Sequence, residues 1–255
     1  MTGVSFTHIG GPTLLIDVGG WRILTDPTFD PPGRRYSFGW GTASTKTAGP
    51  AVAAADVGPL DAVLLTHDHH ADNLDDAGRE VLATAATVVT TESGARRLGG
   101  GARGLEPWRT TTLEHADRRT ITVTATPCRH GPPGSHPIVG DVVGFALRWH
   151  GQANGELWIS GDTVLYSGVR QVAERLDVGT AVVHLGGVRF PITGPLRYTM
   201  TAGDAADLVA AVRPTTTIPV HYEGWSHFQE DRETIEQSLG DVAWLTPGEP
   251  RSIVV

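Results

Sequence analysis

Thr66-His67-Asp68-His69-His70-Ala71-Asp72-Asn73-Leu74-Asp75 is the stretch on which the reading of this chain turns. Three of the 11 histidines fall within four positions here. The run follows Ala62–Leu65, an apolar segment that predicts a short buried strand. The histidines therefore stand where a strand leaves the core. Imidazoles and carboxylates in one turn are donors suited to zinc, manganese or iron. Clustered, they repel one another if protonated and lose hydration if buried, and a bound metal ion offsets both costs. The plain alternative is an exposed polar turn, which leaves the recurrence elsewhere in the chain unexplained.

That recurrence is the second observation. His130 follows the strand-like run ending at Ala125, Asp162 follows Leu157–Ser160, and His221 follows Thr216–Val220. Taken singly, a His or Asp after a strand is a cap or turn residue. Four strand ends that each deliver a ligand-type side chain point to one edge of a sheet, where such ends converge. His184 closes another apolar run and either lines the site or is a core histidine. Asp26, just before Pro27, and Thr163 are candidates to orient metal-bound imidazoles, with a turn role as the alternative for Asp26. His227 lies in an aromatic segment that could wall a pocket. Arg129, beside His130, and Arg34, Arg35 and Arg197 could face an anionic substrate, although arginines are more often solvated or salt-bridged. Cys128, beside the site, is read as a buried inert thiol, with a thiolate ligand or nucleophile as the alternative. His8, His115, His136 and His150 are read as surface or turn residues.

Working outward, the first 25 residues read as three alternating strands joined by Gly-rich turns. Residues 36–58 are small and polar and read as a loop, with a short helix near 51–55. Helices are expected at 75–83, 94–98, 168–176, 202–212 and 231–239, and further strands at 87–90, 110–114, 120–125, 142–149, 157–160, 181–185, 216–220, 242–245 and 252–255. Strand runs with helices inserted suggest two packed sheets flanked by helices. The chain has 255 residues, is 40% hydrophobic and carries a formal charge of −8, a globular composition that disfavours a nucleic-acid partner. The single cysteine excludes an internal disulfide framework. Neither a signal peptide nor a membrane span is expected, which suggests a cytoplasmic protein.

The series His67, His69 or His70, Asp72, His130, Gly161-Asp162-Thr163 and His221 resembles the metal ligands of the metallo-β-lactamase superfamily, over nearly the whole chain. Ile23-Leu24-Thr25-Asp26-Pro27, Tyr198-Thr199-Met200-Thr201 and Pro219-Val220-His221-Tyr222-Glu223-Gly224-Trp225 resemble its lactonase-like branch, which includes L-ascorbate-6-phosphate lactonase. The resemblance implies an α/β (α+β) fold, a four-layer αββα sandwich formed as one domain over residues 1–255. The site would lie at one edge between the two sheets. The common motif is His-x-His-x-Asp-His. Here one residue is inserted and Asn73 takes the last place. The spacing His70-Ala71-Asp72-Asn73 favours His70 as a ligand, whereas alternation in an extended segment puts His67 and His69 on one face and favours His69. Both stand.

The same resemblance implies one metal on His67, His69 or His70, and His130, with Asp162 as a carboxylate ligand. A second would take Asp72, His221 and a bridging oxygen of Asp162. Asn73 is a poor ligand, so the second site would be weak or filled by a harder ion such as manganese. One or two divalent ions are expected, zinc or manganese first, with iron as an option. The implied activity is hydrolysis of a small ester, lactone or phosphoester by a metal-activated hydroxide, with Asp72 or Asp68 orienting water or protonating the leaving group. The alternatives are a mononuclear iron oxygenase of the same fold and a non-hydrolytic member with partial ligation. The expected partners are a small-molecule substrate, anionic in one reading, and further copies of the chain in a homo-oligomer.

Overall fold

The structure, a computed structural model, describes residues 3–255. Strand alternation builds its layers. Leu14 and Ile16 turn into the space between two sheets while Leu15 turns the other way, and Ile23 and Leu24, and Leu64 and Leu65, split in the same manner. The first sheet runs in the order β15 (Pro250–Val254), β1 (Gly3–Gly10), β2 (Thr13–Val18), β3 (Trp21–Thr25), β6 (Ala62–Leu64), β7 (Thr87–Thr91) and β8 (Arg103–Leu105). It is antiparallel as far as β3 and parallel beyond. The second runs β14 (Thr216–Val220), β13 (Val178–His184), β12 (Glu156–Ile159), β11 (Val143–Trp149), β10 (Ile121–Pro127) and β9 (Thr110–Leu113). Only β12, β13 and β14 are parallel to one another.

Between the sheets lies one apolar core that includes Phe6, Ile16, Phe145, Leu147 and Ile159, all buried. Each such side chain contributes roughly 1.5–3 kcal/mol. On the far face of the second sheet, Trp158 and Val183 pack with side chains of α4 (Ser167–Arg175), α5 (Ala202–Val212) and α6 (Arg232–Leu239). On the far face of the first, Leu15, Val63 and Leu65 pack with Val81 and Leu82 of α1 (Asp76–Leu82). The order of layers is helix, sheet, sheet, helix, an αββα sandwich. Two further helices are α2 (Glu92–Leu98) and the single-turn α3 (His136–Val139). Caps fix several starts: Asp75 accepts from Gly78 N in α1, and Thr201 and Asp204 form a capping box in α5.

Five segments differ from expectation, two of them the unexpected β8 and α3. The 36–58 loop contains a two-stranded ribbon, β4 (Arg35–Gly39) and β5 (Thr42–Thr45), with Tyr36 and Phe38 turned inward. Trp40 takes a positive φ of 51° between two glycines that also have positive φ, which closes that turn. The helix near 51–55 is a single 3₁₀ turn at Ala54–Asp56. Residues 242–245 form no strand; Ala243 N–H meets the Thr217 carbonyl at 2.8 Å and no ladder follows. Among the described residues no helix is long and apolar enough to cross a membrane.

Candidate metal centre

Strand ends assemble the site. Asp26 directly follows β3, His67 lies three residues past β6, His130 and Asp162 lie three past β10 and β12, His184 ends β13, and His221 directly follows β14. Two of these residues, Asp26 (φ 33°) and His221 (φ 58°), hold left-handed backbone that non-glycine residues rarely adopt. Such strain persists only where surroundings enforce it. For His221 the enforcement is visible: its N–H donates to the Gly11 carbonyl at 2.9 Å. Gly161, at φ 65°, is required as well, because a Cβ there would meet the Val143 carbonyl oxygen at 2.7 Å.

The side chains form two clusters, in each of which the candidate ligand atoms lie within 4.8 Å of one another: His67, His70 and His130, and Asp72, Asp162 and His221. All six are buried. In the first, His70 Nδ1 lies 3.3 Å from His67 Nε2 and 3.0 Å from His130 Nε2. Outer partners set the tautomers. His130 Nδ1–H donates to the Tyr198 carbonyl at 2.7 Å, leaving Nε2 as a lone pair. The Thr66 hydroxyl donates to Asp26 Oδ2 at 3.1 Å and lies 3.1 Å from His67 Nδ1, which donates to it and leaves its own Nε2 free. Burial holds all three imidazoles neutral: His67 is pushed well below its ordinary 6.5, His70 to about 4 and His130 to about 3. Three neutral nitrogens meeting this closely suit a cation among them.

The second cluster is carboxylate-rich. His221 Nε2 lies 3.4 Å from Asp72 Oδ2 and 3.5 Å from Asp162 Oδ2. Burial opposes a charge on His221, but Asp162 and Asp72 overcome it and push its pKa up to about 9. Burial raises Asp162 to about 6. Asp72 Oδ1, both Asp162 oxygens and His221 Nε2 are buried without a hydrogen-bond partner among the described residues. Orphaned polar atoms at this density call for a ligand, and two carboxylates with an imidazole are the donor set of a divalent ion. The residues fit the metal that the sequence implies.

The remaining candidates fall around these clusters. Asp26 is buried beside Thr66, with His184 Nε2 3.4 Å from its Oδ2, and burial raises its pKa to about 7. Asn73 is not turned toward the carboxylates: its amide lies against Asp26, and its Nδ2 is 3.4 Å from Thr66 Oγ1. Thr163 Oγ1 accepts from Arg129 N at 3.0 Å, and the Arg129 guanidinium stacks 4.6 Å over the Tyr166 ring. Asp68 and His69 lie outside both clusters. The Asp68 carboxylate takes two bonds from Arg97, at 2.9 and 2.6 Å, and His69 Nδ1 is 3.4 Å from the same guanidinium. Cys128 is only partly buried, not the buried thiol expected, and it donates to the Ser160 carbonyl at a sulfur–oxygen distance of 2.9 Å. Of the four histidines read as surface or turn residues, His8 is buried and its Nε2 bonds the Gly11 carbonyl at 3.0 Å.

Lys46, the one lysine, is a residue that sequence reasoning passed over. It is buried, with Nζ 2.7 Å from Asp75 Oδ2. Asp75 also accepts from Phe29 N and Asp30 N, so the pair ties the segment that leads into the β4–β5 ribbon to the start of α1. A lone lysine in a chain of arginines was the only signal available.

Comparison with known proteins agrees with this geometry. A family model described as a beta-lactamase superfamily domain matches residues 21–222. A UPF0173 metal-dependent hydrolase of Methanoregula boonei is 30% identical over 205 residues, covering 76% of this chain and 82% of that one. A counterpart from Pyrococcus furiosus is 26% identical over 252 residues, 96% of this chain and 98% of its own. Among solved structures, the isothiocyanate hydrolase from Delia radicum gut bacteria matches with a TM-score of 0.80 at 20% identity, over 98% of this chain and 100% of that one. At that identity it speaks to the fold alone.

Proposed function

The chain belongs to the beta-lactamase superfamily and, within it, to the UPF0173 metal-dependent hydrolases, and from that premise we propose that it hydrolyses a small, uncharged, largely apolar molecule at an electrophilic carbon. Esters, lactones and heterocumulenes such as isothiocyanates meet that description. One observation carries the reading. A cavity of about 430 Å³ has His70, Asp72 and His130 in its wall, and the rest of its lining is dominated by apolar side chains such as Phe38, Phe190 and Ile192. Among the described residues no lysine or arginine lines it. A phosphoester would meet no protein cation in this wall, and only the bound ions would offset its desolvation. Arg34 is held by Asp30 and Asp76, and Arg197 donates to the Gly187 carbonyl.

His67, His70 and His130 would hold one divalent ion and Asp72, Asp162 and His221 a second, which would supply Lewis acidity and water activated near neutral pH. The protein supplies the rest. The Tyr198 carbonyl and the Thr66 hydroxyl lock His130 and His67 in orientation. The apolar wall excludes bulk water and orients the substrate's hydrophobic part. Asp72 Oδ1, which has no hydrogen-bond partner among the described residues, is placed to accept a hydrogen bond from water and orient it.

The test is a panel of neutral aryl esters, lactones and isothiocyanates against phosphomonoesters and phosphodiesters, with protein loaded with zinc or manganese. The expected kcat/KM for the preferred neutral class exceeds that for any phosphoester by at least about 100-fold. Leu196→Arg, at the cavity wall, should narrow that gap. Turnover confined to phosphoesters would overturn the reading.

A further inference from the structure

His227 has no hydrogen-bonding explanation. It is 3% exposed, and neither ring nitrogen has a hydrogen-bond partner among the described residues. Aromatic rings enclose it: Trp225 stacks at 6.0 Å, and Phe38, Phe190 and Phe228 lie 5.4, 5.5 and 4.6 Å from its centroid. Enclosing an imidazole this way without satisfying it costs free energy. Yet its Nε2 lies 3.1 Å from Asp72 Oδ2, the same oxygen that His221 Nε2 approaches at 3.4 Å. The 3.1 Å approach is not aligned as a hydrogen bond, since both nitrogens remain unpartnered. Two donor atoms about 3 Å apart and not aimed at each other are arranged as neighbouring ligands on one ion are, each directed at a common point some 2 Å away.

From this geometry we infer that His227 is a direct ligand of the second metal ion: it stands 3.1 Å from Asp72 but just outside the group Asp72, Asp162 and His221, whose donor atoms lie within 4.8 Å of one another, and its ring closes on the ion as that ion binds. The imidazole absent at Asn73 is thus supplied 154 residues later in the chain, and Asn73 is released to bond Thr66 in the outer network of the first cluster. The loop that carries His227 is held for this purpose. Ser226 Oγ lies 3.2 Å from Ser44 Oγ and accepts from Thr45 N at 2.9 Å, and Lys46 bridges Trp225 through the backbone. Gln229 Nε2 donates to the His227 carbonyl at 2.9 Å. The second site therefore depends on the β4–β5 ribbon being in place, whereas the ribbon touches the first through the Phe38 ring, 5.2 Å from that of His70. This inference rests on the metal-dependent reading above.

The experiment titrates metal-stripped protein with Co²⁺ and follows binding by absorbance and by proton NMR with ¹⁵N-histidine labelling. Each ligating imidazole keeps one exchangeable N–H that the paramagnetic ion shifts strongly. With two equivalents bound, five such signals are expected, three from His67, His70 and His130 and two from His221 and His227. In His227→Ala one signal disappears and the second equivalent weakens by more than the roughly 10–100-fold typical of an orienting partner, while the first is unchanged. Four signals in the wild-type protein, or a second equivalent that is unaffected in His227→Ala, overturns the inference. So does uptake of a single ion by the wild-type protein, which leaves the hydrolase reading standing. Uptake of no ion brings down both. If His227→Ala fails to fold, the wild-type signal count decides alone.

Discussion

The two donor clusters are built from opposite materials. His67, His70 and His130 bring three neutral nitrogens and no charge, and outer partners fix two of the rings. Asp72, Asp162 and His221 bring two carboxylates and one imidazole, with four buried atoms unpartnered. As a proposed metal site, the first is an organised set of nitrogens whose crowding an ion would relieve. The second is a charged set whose desolvated carboxylates an ion would balance. What the contrast teaches is that hydrogen bonding has been concentrated on one cluster, so the other is the one whose geometry an ion must complete.

The comparison breaks most visibly at a ligand. His130→Ala should abolish uptake of one metal equivalent, as read by elemental analysis. It should also lower kcat/KM on the best neutral substrate far beyond the roughly 10–100-fold cost of losing an orienting partner. Retention of both equivalents would show that the three imidazoles are not a site.

Thr66→Val sharpens the contrast. It removes the hydroxyl between Asp26 and His67 while leaving every ligand. Affinity for the first ion should fall by about 10–100-fold in competition with a chelator, and affinity for the second should not change. Equal loss at both sites would mean that the clusters are coupled rather than distinct.

In metal-stripped protein the clusters should respond to pH with opposite sign. His70 and His130 are neutral in the fold and protonated in the unfolded chain between about pH 4 and 6.5, so their contribution to stability falls as pH falls through that window. His221 is raised to about 9, so its contribution is full below 6.5 and is lost as pH rises through 9. Buried Asp26 and Asp162, raised to about 7 and 6, act against the acid limb, which is why variants are compared. Urea unfolding should show His130→Gln flattening the acid limb by up to about 1.4 kcal/mol per pH unit, and His221→Gln flattening the alkaline limb. The same change of slope in both variants would erase the distinction.

Asn73→Ala should have the smallest effect, and only on the first ion. Its 3.4 Å contact to Thr66 Oγ1 is long, so a weakening smaller than that of Thr66→Val is expected in the same chelator competition. A loss at the second ion instead would place Asn73 among its ligands.

Much of this was legible in the residues. Strand alternation in Thr13–Val18 and Trp21–Thr25 is a local signal, and local signals survive folding. The strand ends that carry His130, Asp162 and His221 were readable for the same reason. The β4–β5 ribbon was not, because its composition is that of a loop and its pairing is defined by contacts to the 221–228 segment. His69 and His70 could not be separated, because alternation presumes an extended backbone and residues 67–74 are a turn. Asn73 N–H and Leu74 N–H both donate to the His70 carbonyl, which bends His70 back to His67 and His130. His69 is left facing Arg97, in space that Gly140 keeps clear by having no side chain.

The sequence by itself determined the layered fold, the chemistry of the donors and their place at strand ends. All three follow from residue type and short-range period, which act between neighbours in the chain. Tertiary structure alone decided which imidazole joins which cluster, that Asp68 faces Arg97, and that His227 stands 3.1 Å from Asp72. Those outcomes depend on the direction of side chains brought together from distant segments, and sequence spacing does not encode direction across a gap of 155 residues between positions 72 and 227.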